Sequence, residues 1–354
     1  MFRRGVKITL LCISMIAFTC YFNRSYDSVL TLQEVRLKIM KNSSVYKFHD
    51  ENKSLLGHPN PEGCPKNLIL QNLGGGLGNK MCQYATLLAL VRNTGRYPVI
   101  SKYDRMTFRH YFESPSIKGT IDIKLDPNCT LKYISYDVKN KLDSVSKFHN
   151  LLEELGDNNI EIVGNAYRLL LFLPIRDLLL KEFKIGYFHS KKADEVFHSV
   201  TNCHHRNCTY ICVHVRRTDH AGFIKRKAKG NIVGAPYLYS AMKLMKFNFP
   251  DSVFLVISDD MFWCKRNLNF PEFHMEFVGT FGRYVPAVDL AILVKSNHSI
   301  LTHGTFGFIG AFLSGGHVIQ PIGFSEISPS PQIAGVKLKW TQIDAYGNFT
   351  NFKM

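Results

Sequence analysis

The sequence predicts an α/β protein built on parallel sheets, and two stretches carry that expectation. Residues 67–100 read as strand, glycine loop, helix and strand in succession, and residues 209–319 alternate short apolar runs with helical spacing throughout. The 354 residues are 45% hydrophobic and 20% charged, which supplies a large core and excludes disorder and low-complexity polymers. Lys and Arg number 44 against 28 Asp and Glu, a formal charge of +16. That surplus favours an anionic partner: nucleic acid, acidic lipid or a phosphorylated small molecule.

The N-terminus narrows the choice. Arg3, Arg4 and Lys7 precede an apolar run from Ile8 to Phe22, and Arg24 follows it. The run is short of the roughly 20 residues that span a full bilayer, but it suits a thinner early-secretory membrane or the core of a signal peptide. The nearest small-x-small match, Ala17-Phe18-Thr19, lies inside the run. The expectation is therefore an uncleaved signal-anchor helix, with membrane contact through residues 8–22, the basic end cytosolic and the remainder lumenal. A cleaved signal peptide is the alternative. Sequons agree with a lumenal body, at Asn23, Asn42, Asn52, Asn128, Asn207, Asn297 and Asn348. Nucleic-acid binding becomes a poor reading, and the basic run Lys225, Arg226, Lys227 and Lys229 reads as a solvated loop.

Cysteine usage fits the same compartment. Seven cysteines lie beyond the anchor (Cys64, Cys82, Cys129, Cys203, Cys208, Cys212, Cys264), so most should pair and at least one stay free. Cys203, His204, His205, Cys208, Cys212 and His214 crowd together without the spacing of a familiar zinc site, and disulfides and core packing explain them better. The expected organisation is tail and anchor over 1–25, a polar stem over 26–62, and two α/β parts over 63–205 and 206–354.

In the first part, residues 67–73 form an apolar strand, Gly74-Gly75-Gly76-Leu77-Gly78 a tight loop, residues 79–92 a helix, and residues 98–100 a second strand. The loop is neither a dinucleotide fingerprint nor a Walker A loop. Helical spacing recurs over 145–155 and 167–183. In the second part, strands are expected over 209–215, 253–257, 274–278, 298–301 and 317–319, with helices over 236–247, 287–294 and 306–313 between them. Parallel sheets bind ligands outside the carboxyl ends of their strands. Three polar clusters fall there: Arg216-Arg217-Thr218-Asp219-His220, Ser258-Asp259-Asp260, and Thr302-His303-Gly304-Thr305. Guanidinium groups, carboxylates and a Gly-Thr helix start in one crevice suit a nucleoside diphosphate. Within the second cluster, Ser258 is an alternative N-cap, with Asp259 and Asp260 favouring the helix start. His214, inside an apolar strand, reads as core; His220 and His303 read as loop residues suited to proton transfer.

At these residues the chain resembles the α1,2-fucosyltransferases, which use GDP-fucose. The segments that carry the resemblance are His214-Val215-Arg216-Arg217-Thr218-Asp219, Ser258 to Lys265, Gly304-Thr305-Phe306-Gly307-Phe308, and Gly74 to Ala85. The first is shared with α1,6- and protein O-fucosyltransferases and marks donor use, while the second and third resemble the α1,2 group. Departures lie in the glycine loop, where Gly76, Lys80 and Cys82 replace the family's Arg, Gln and Phe. The resemblance implies a GT-B-like α/β fold, two facing Rossmann-like domains with the active site in the cleft, the first acceptor-side and the second binding GDP-fucose. It implies donor contacts from Asn79, His214, Arg216, Arg217, Ser258, Asp259, Gly304, Thr305 and Phe306. Ser258 and Asp259 would lie near the guanosine, and Thr305 and Phe306 near the pyrophosphate. Asp219, His220 and His303 are candidates beside Arg216 for the catalytic steps. The acceptor would be a galactose-terminated glycan, and the location a single-pass type II Golgi membrane protein. No Asp-x-Asp occurs in the chain, which fits transfer without a metal or other cofactor. Fucose transfer to another linkage, a non-catalytic glycan-binding protein and a sulfotransferase are the competing readings.

Overall fold

The computed structural model describes residues 66–92, 94–119, 132–137, 145–164, 169–200, 208–227, 229–279, 285–323, 340–344 and 349–350. All belong to one compact unit, Asp50–Gln332 with Trp340–Lys353. The expected anchor, the stem and the sequons at Asn23, Asn42, Asn52, Asn128, Asn207 and Asn348 lie outside the described residues, as does the expected boundary at 205/206. Among the described residues, no helix is long and apolar enough to cross a membrane.

Two sheets organise the chain. The first contains β1 (Leu68–Gln71), β2 (Tyr97–Ile100), β3 (Lys118–Gly119), β4 (Tyr133–Asp137) and β5 (Asn159–Val163). Their order is β3-β2-β1-β5-β4 and every pairing is parallel. The second contains β6 (Thr209–Val215), β7 (Ser252–Ser258), β8 (Met275–Phe277), β9 (His298–Leu301), β10 (Val318–Pro321), β11 (Trp340–Ile343) and β12 (Phe349–Thr350). It runs β12-β11-β10-β9-β6-β7-β8, parallel except for β11 against β12. From β6 the chain builds outward first to β7 and β8, then reverses to β9 and beyond. The carboxyl ends of β6 and β9 therefore flank a topological switch point, and those of β1 and β5 flank another.

The helices follow the parallel-sheet logic. They are α1 (Leu77–Val91), α2 (Lys102–Tyr111), α3 (Val145–Leu155), α4 (Leu169–Phe172), α5 (Arg176–Glu182), α6 (Tyr187–Ser199), α7 (Thr218–Lys227), α8 (Ala235–Asn248), α9 (Met261–Asn267), α10 (Pro286–Lys295) and α11 (Thr305–Ser314). Continuous helix over 167–183 does not form. Pro174 sits in a 3-10 turn, Leu173–Ile175, between α4 and α5, because proline removes a ladder donor and crowds the preceding turn. The basic run is also corrected: its first three members, Lys225 to Lys227, lie on α7, whose Ile224 is buried.

Two helices are apolar almost all round, which marks them as buried. In α1 every residue from Met81 to Val91 is buried, and in α11 every residue from Gly307 to Leu313. They pack against each other and join the two sheets' layers. Arg176, at the start of α5, closes the far end of α11 by donating from Nε to the Phe312 carbonyl at 3.1 Å and from Nη2 to that of Leu313. A buried polar network braces the first layer: Tyr84 Oη donates to Glu182 Oε2 at 2.5 Å and accepts from the Ile117 amide at 3.1 Å.

The described cysteines are of two kinds. Cys82, Cys212 and Cys264 are free and buried, and Cys208 is disulfide-bonded. Burial pushes the thiol of Cys264 up to about 11, and those of Cys82 and Cys212 upward too, so all three are inert apolar fillers. The metal reading of Cys203, His204 and His205 lies outside the described residues. Asn297, the described sequon, is exposed between α10 and β9, its side-chain carbonyl accepting from the Tyr210 amide at 2.9 Å.

Candidate active site

The first layer contributes the glycine loop after β1. Gly75 has φ of 77°, a left-handed value that favours glycine, and a Cβ there would sit 2.4 Å from Asn79 Nδ2 and displace that amide. The loop is pinned from below. Asp104 accepts from the Leu73 amide at 3.0 Å, from Ser101 Oγ at 2.6 Å and from Lys80 Nζ, which also donates to the Leu73 carbonyl at 2.9 Å. Gln83 Oε1 accepts from the Gly74 amide at 2.7 Å. Lys80, one of the departures from the family pattern, is thus a half-buried strut between Asp104 and the Leu73 carbonyl. Gly76, another, leaves open space.

The second layer contributes the loops after β6, β7 and β9. Arg216 follows β6, where its amide donates to Thr302 Oγ1 at 2.8 Å. Its guanidinium pairs with Asp259 through Nη1 and with Asp219 Oδ1 through Nη2 at 2.5 Å. Thr302, assigned no role by sequence, links the two loops that flank the switch point. Gly304 follows with φ of 99°, a left-handed value that favours glycine, and α11 begins at Thr305.

The N-termini of α1 and α11 meet. Thr305 Oγ1 donates to Asn79 Oδ1 at 2.5 Å, and a Cβ on Gly78 would lie 2.3 Å from the Phe306 amide nitrogen. Neither helix has a side-chain cap or an acidic residue in its first turn. Two positive helix ends, with free amides, therefore converge beside one guanidinium. That arrangement suits an anion with several oxygens, such as a diphosphate.

The other expected residues are tied into the same loops. Asp259 accepts three bonds: Oδ1 from the Arg217 amide at 2.8 Å, and Oδ2 from Arg216 and from Thr218 Oγ1 at 2.5 Å. It positions the 216–218 segment. The Ser258 hydroxyl donates to the Val215 carbonyl at 2.7 Å and accepts from the Asp260 amide at 2.9 Å. The N-cap of α9 is Asp260, which accepts from the Trp263 amide. Arg217 is committed too, stacked 3.6 Å from the centre of the Trp263 ring and donating to the Val233 carbonyl at 3.2 Å. Trp263 carried no sequence-level role beyond its motif.

The histidines form the floor. His214 is buried behind the crevice, where a Cβ on Gly307 would meet its Nδ1 at 2.7 Å, and its ring lies 5.4 Å from that of Phe306. Burial, assisted by Arg216 and His220, lowers its pKa to about 4. His303 is 4% exposed, and burial with the neighbouring His220 lowers it to about 4 as well. His220 lies on α7, where burial and then Arg216 lower its pKa. All three are neutral near pH 7. Asp219 is the exposed member of the set.

On the first layer's side, Tyr103 and Met106 stand out on α2, 72% and 59% exposed. The Tyr103 ring lies 5.3 Å from Lys80 Nζ, placing it beside the glycine loop. The sequence reading missed this face because α2 itself went unrecognised.

Fold and site together define a doubly wound α/β protein whose two switch points meet at an anion cradle. The chain belongs to Glycosyl transferase family 11, whose model matches residues 62–343. It is 28% identical over 255 residues to galactoside 2-alpha-L-fucosyltransferase SEC1 of Bos taurus, a match covering 72% of this chain and 66% of that relative. It is 30% identical over 277 residues to galactoside alpha-(1,2)-fucosyltransferase 1 of Sus scrofa, covering 76% and 73% respectively. Among solved structures, fucosyltransferase NodZ from Bradyrhizobium matches with a TM-score of 0.47 and 12% identity, over 74% of this chain and 99% of that one.

Proposed function

We propose that this chain transfers L-fucose, with inversion, from GDP-fucose to the 2-hydroxyl of a terminal β-galactoside; the names of its relatives give the α1,2 linkage to a galactoside. The observation that carries the reading is Arg216, clamped at the end of β6 beside two uncapped helix starts. The architecture is GT-B-like, with the donor held between the two layers. The departing diphosphate gains its negative charge where Arg216 and the free amides of α1 and α11 already stand, so the site needs little reorganisation as the bond breaks. The acceptor hydroxyl attacks the anomeric carbon from the opposite side through an oxocarbenium-like state. With such loose bonding, leaving-group stabilisation carries most of the acceleration, and Asp219 is the carboxylate available to the hydroxyl proton. The residues that hold the donor are protein groups alone, with no metal or cofactor required. Localisation to a Golgi membrane through residues 8–22 completes the proposal.

The test is an assay of the full chain with GDP-fucose against a panel of glycans. Transfer confined to terminal β-galactosides and giving an α1,2 product is expected. Transfer only to core N-acetylglucosamine or to a protein hydroxyl would replace this reading with another linkage, and GDP binding without turnover would replace it with a glycan-binding role.

The acceptor approaches from the first layer, where Tyr103 offers an exposed aromatic face to the apolar side of a sugar ring. Tyr103→Ala is expected to raise the acceptor KM about two- to tenfold and leave GDP affinity unchanged. Equal effects on both substrates would show that Tyr103 acts through the glycine loop instead.

A further inference from the structure

Arg216 has two carboxylate partners of opposite character. Asp259 is the fixed one: its side chain is 9% exposed, and it also holds the Arg217 amide and the Thr218 hydroxyl. Asp219 is the loose one: its side chain is 77% exposed, in the first turn of α7, and beyond the 2.5 Å bond from Arg216 Nη2 its other contact is Thr218 Oγ1 at 3.4 Å. The donor that Asp219 occupies belongs to the group assigned above to the diphosphate.

We infer that Asp219 stands in for phosphate in the nucleotide-free enzyme. Its carboxylate holds Nη2 of Arg216 until a diphosphate oxygen displaces it, and the guanidinium stays anchored to Asp259 throughout. The exchange is downhill in one direction for a plain reason. An exposed ion pair is weak, because water screens it and two side chains must be held still. A diphosphate brings several oxygens and more charge to a cradle that also has free helix amides, so it wins the shared donor. Before binding, the stand-in keeps Arg216 aimed into the crevice. After binding, the carboxylate is released beside Arg216, where the proposed mechanism wants a proton acceptor. Asp219 is thereby an intramolecular competitor of its own substrate.

The inference rests on the proposed function, and the experiment separates the two. Full-length wild type and Asp219→Asn are titrated calorimetrically with GDP and, separately, with inorganic pyrophosphate. Asparagine keeps the shape and the place on α7 but removes the charge that competes. The variant is expected to bind both probes about two- to fivefold tighter than wild type. Affinity that is unchanged or weaker overturns the inference, since Asp219 is then a bystander or a direct ligand contact. A crystal structure of the GDP complex supplies the second readout. Arg216 should keep Asp259 and lose Asp219, and an Arg216–Asp219 pair intact beside bound GDP overturns the inference even if affinity rises through general charge. Wild type that binds pyrophosphate but not GDP would sink the nucleotide reading, and the pyrophosphate arm would still score the stand-in.

Discussion

Arg216→Ala is expected to reduce kcat on the order of 10³-fold and to weaken GDP binding about tenfold or more, with the protein still folded. The rate effect follows from position. The guanidinium is a charged donor at the end of β6, with the Arg216 side chain beside Gly304 at the start of α11, and loss of a single donor aimed at developing charge typically costs two to three orders of magnitude. The binding effect is that of a charge-assisted hydrogen bond to phosphate. Folding survives because neither carboxylate is stranded. Asp259 keeps the Arg217 amide and the Thr218 hydroxyl, and Asp219 is exposed to water. A stability loss of about 1–3 kcal/mol is expected from the partner removed from buried Asp259. The check is steady-state kinetics with GDP-fucose alongside a thermal melt. Activity within tenfold of wild type, in a variant that melts normally, would remove the guanidinium from the centre of the mechanism.

The site was readable in the sequence to the extent that it depends on strands buried on both faces. Thr209–Val215 and His298–Leu301 are short apolar runs with polar residues directly after them, so the strand ends and the clusters at those ends could both be located. Elements with mixed surroundings were not readable. The strand Tyr133–Asp137 is a half-exposed edge with Ser135 and Asp137 in it, and Lys102–Tyr111 is a largely polar helix with three buried residues. The triplet Ser258-Asp259-Asp260 shows a different limit. Three consecutive residues could each cap a helix or contact a ligand, and only the strand's length decides among them. β7 runs through Ser258, whose hydroxyl closes onto the Val215 carbonyl, and the cap passes to Asp260. Burial was a further blind spot. His303 reads as a loop residue, yet its neighbours in space keep it dry and neutral. Contacts such as Asn79 with Thr305, 226 positions apart, leave no trace in local pattern.

That last contact leads to the other large effect. Gly78→Ala is expected to abolish measurable transfer and destabilise the protein by about 1–3 kcal/mol, whereas Gly76→Ala, two residues earlier, should change neither. Both glycines belong to the same loop and helix start, and propensity alone would favour alanine at 78, inside the helix, over 76, its N-cap. Space does not. A methyl at 78 would lie 2.3 Å from the Phe306 nitrogen, 2.4 Å from its Cα and 2.8 Å from the Thr305 carbonyl carbon, all of it backbone that cannot rotate away. Nothing lies within 4 Å of a methyl at 76. Relief at 78 requires α1 and α11 to separate at their N-termini, the two positive ends whose convergence makes the anion cradle. The Asn79–Thr305 bond at 2.5 Å would break with them. Thermal melts and GDP titrations of the two variants decide the matter. Gly78→Ala with normal GDP affinity would mean that the cradle does not depend on close contact between the two helix starts, and a disabled Gly76→Ala would point to a requirement for flexibility in the loop instead.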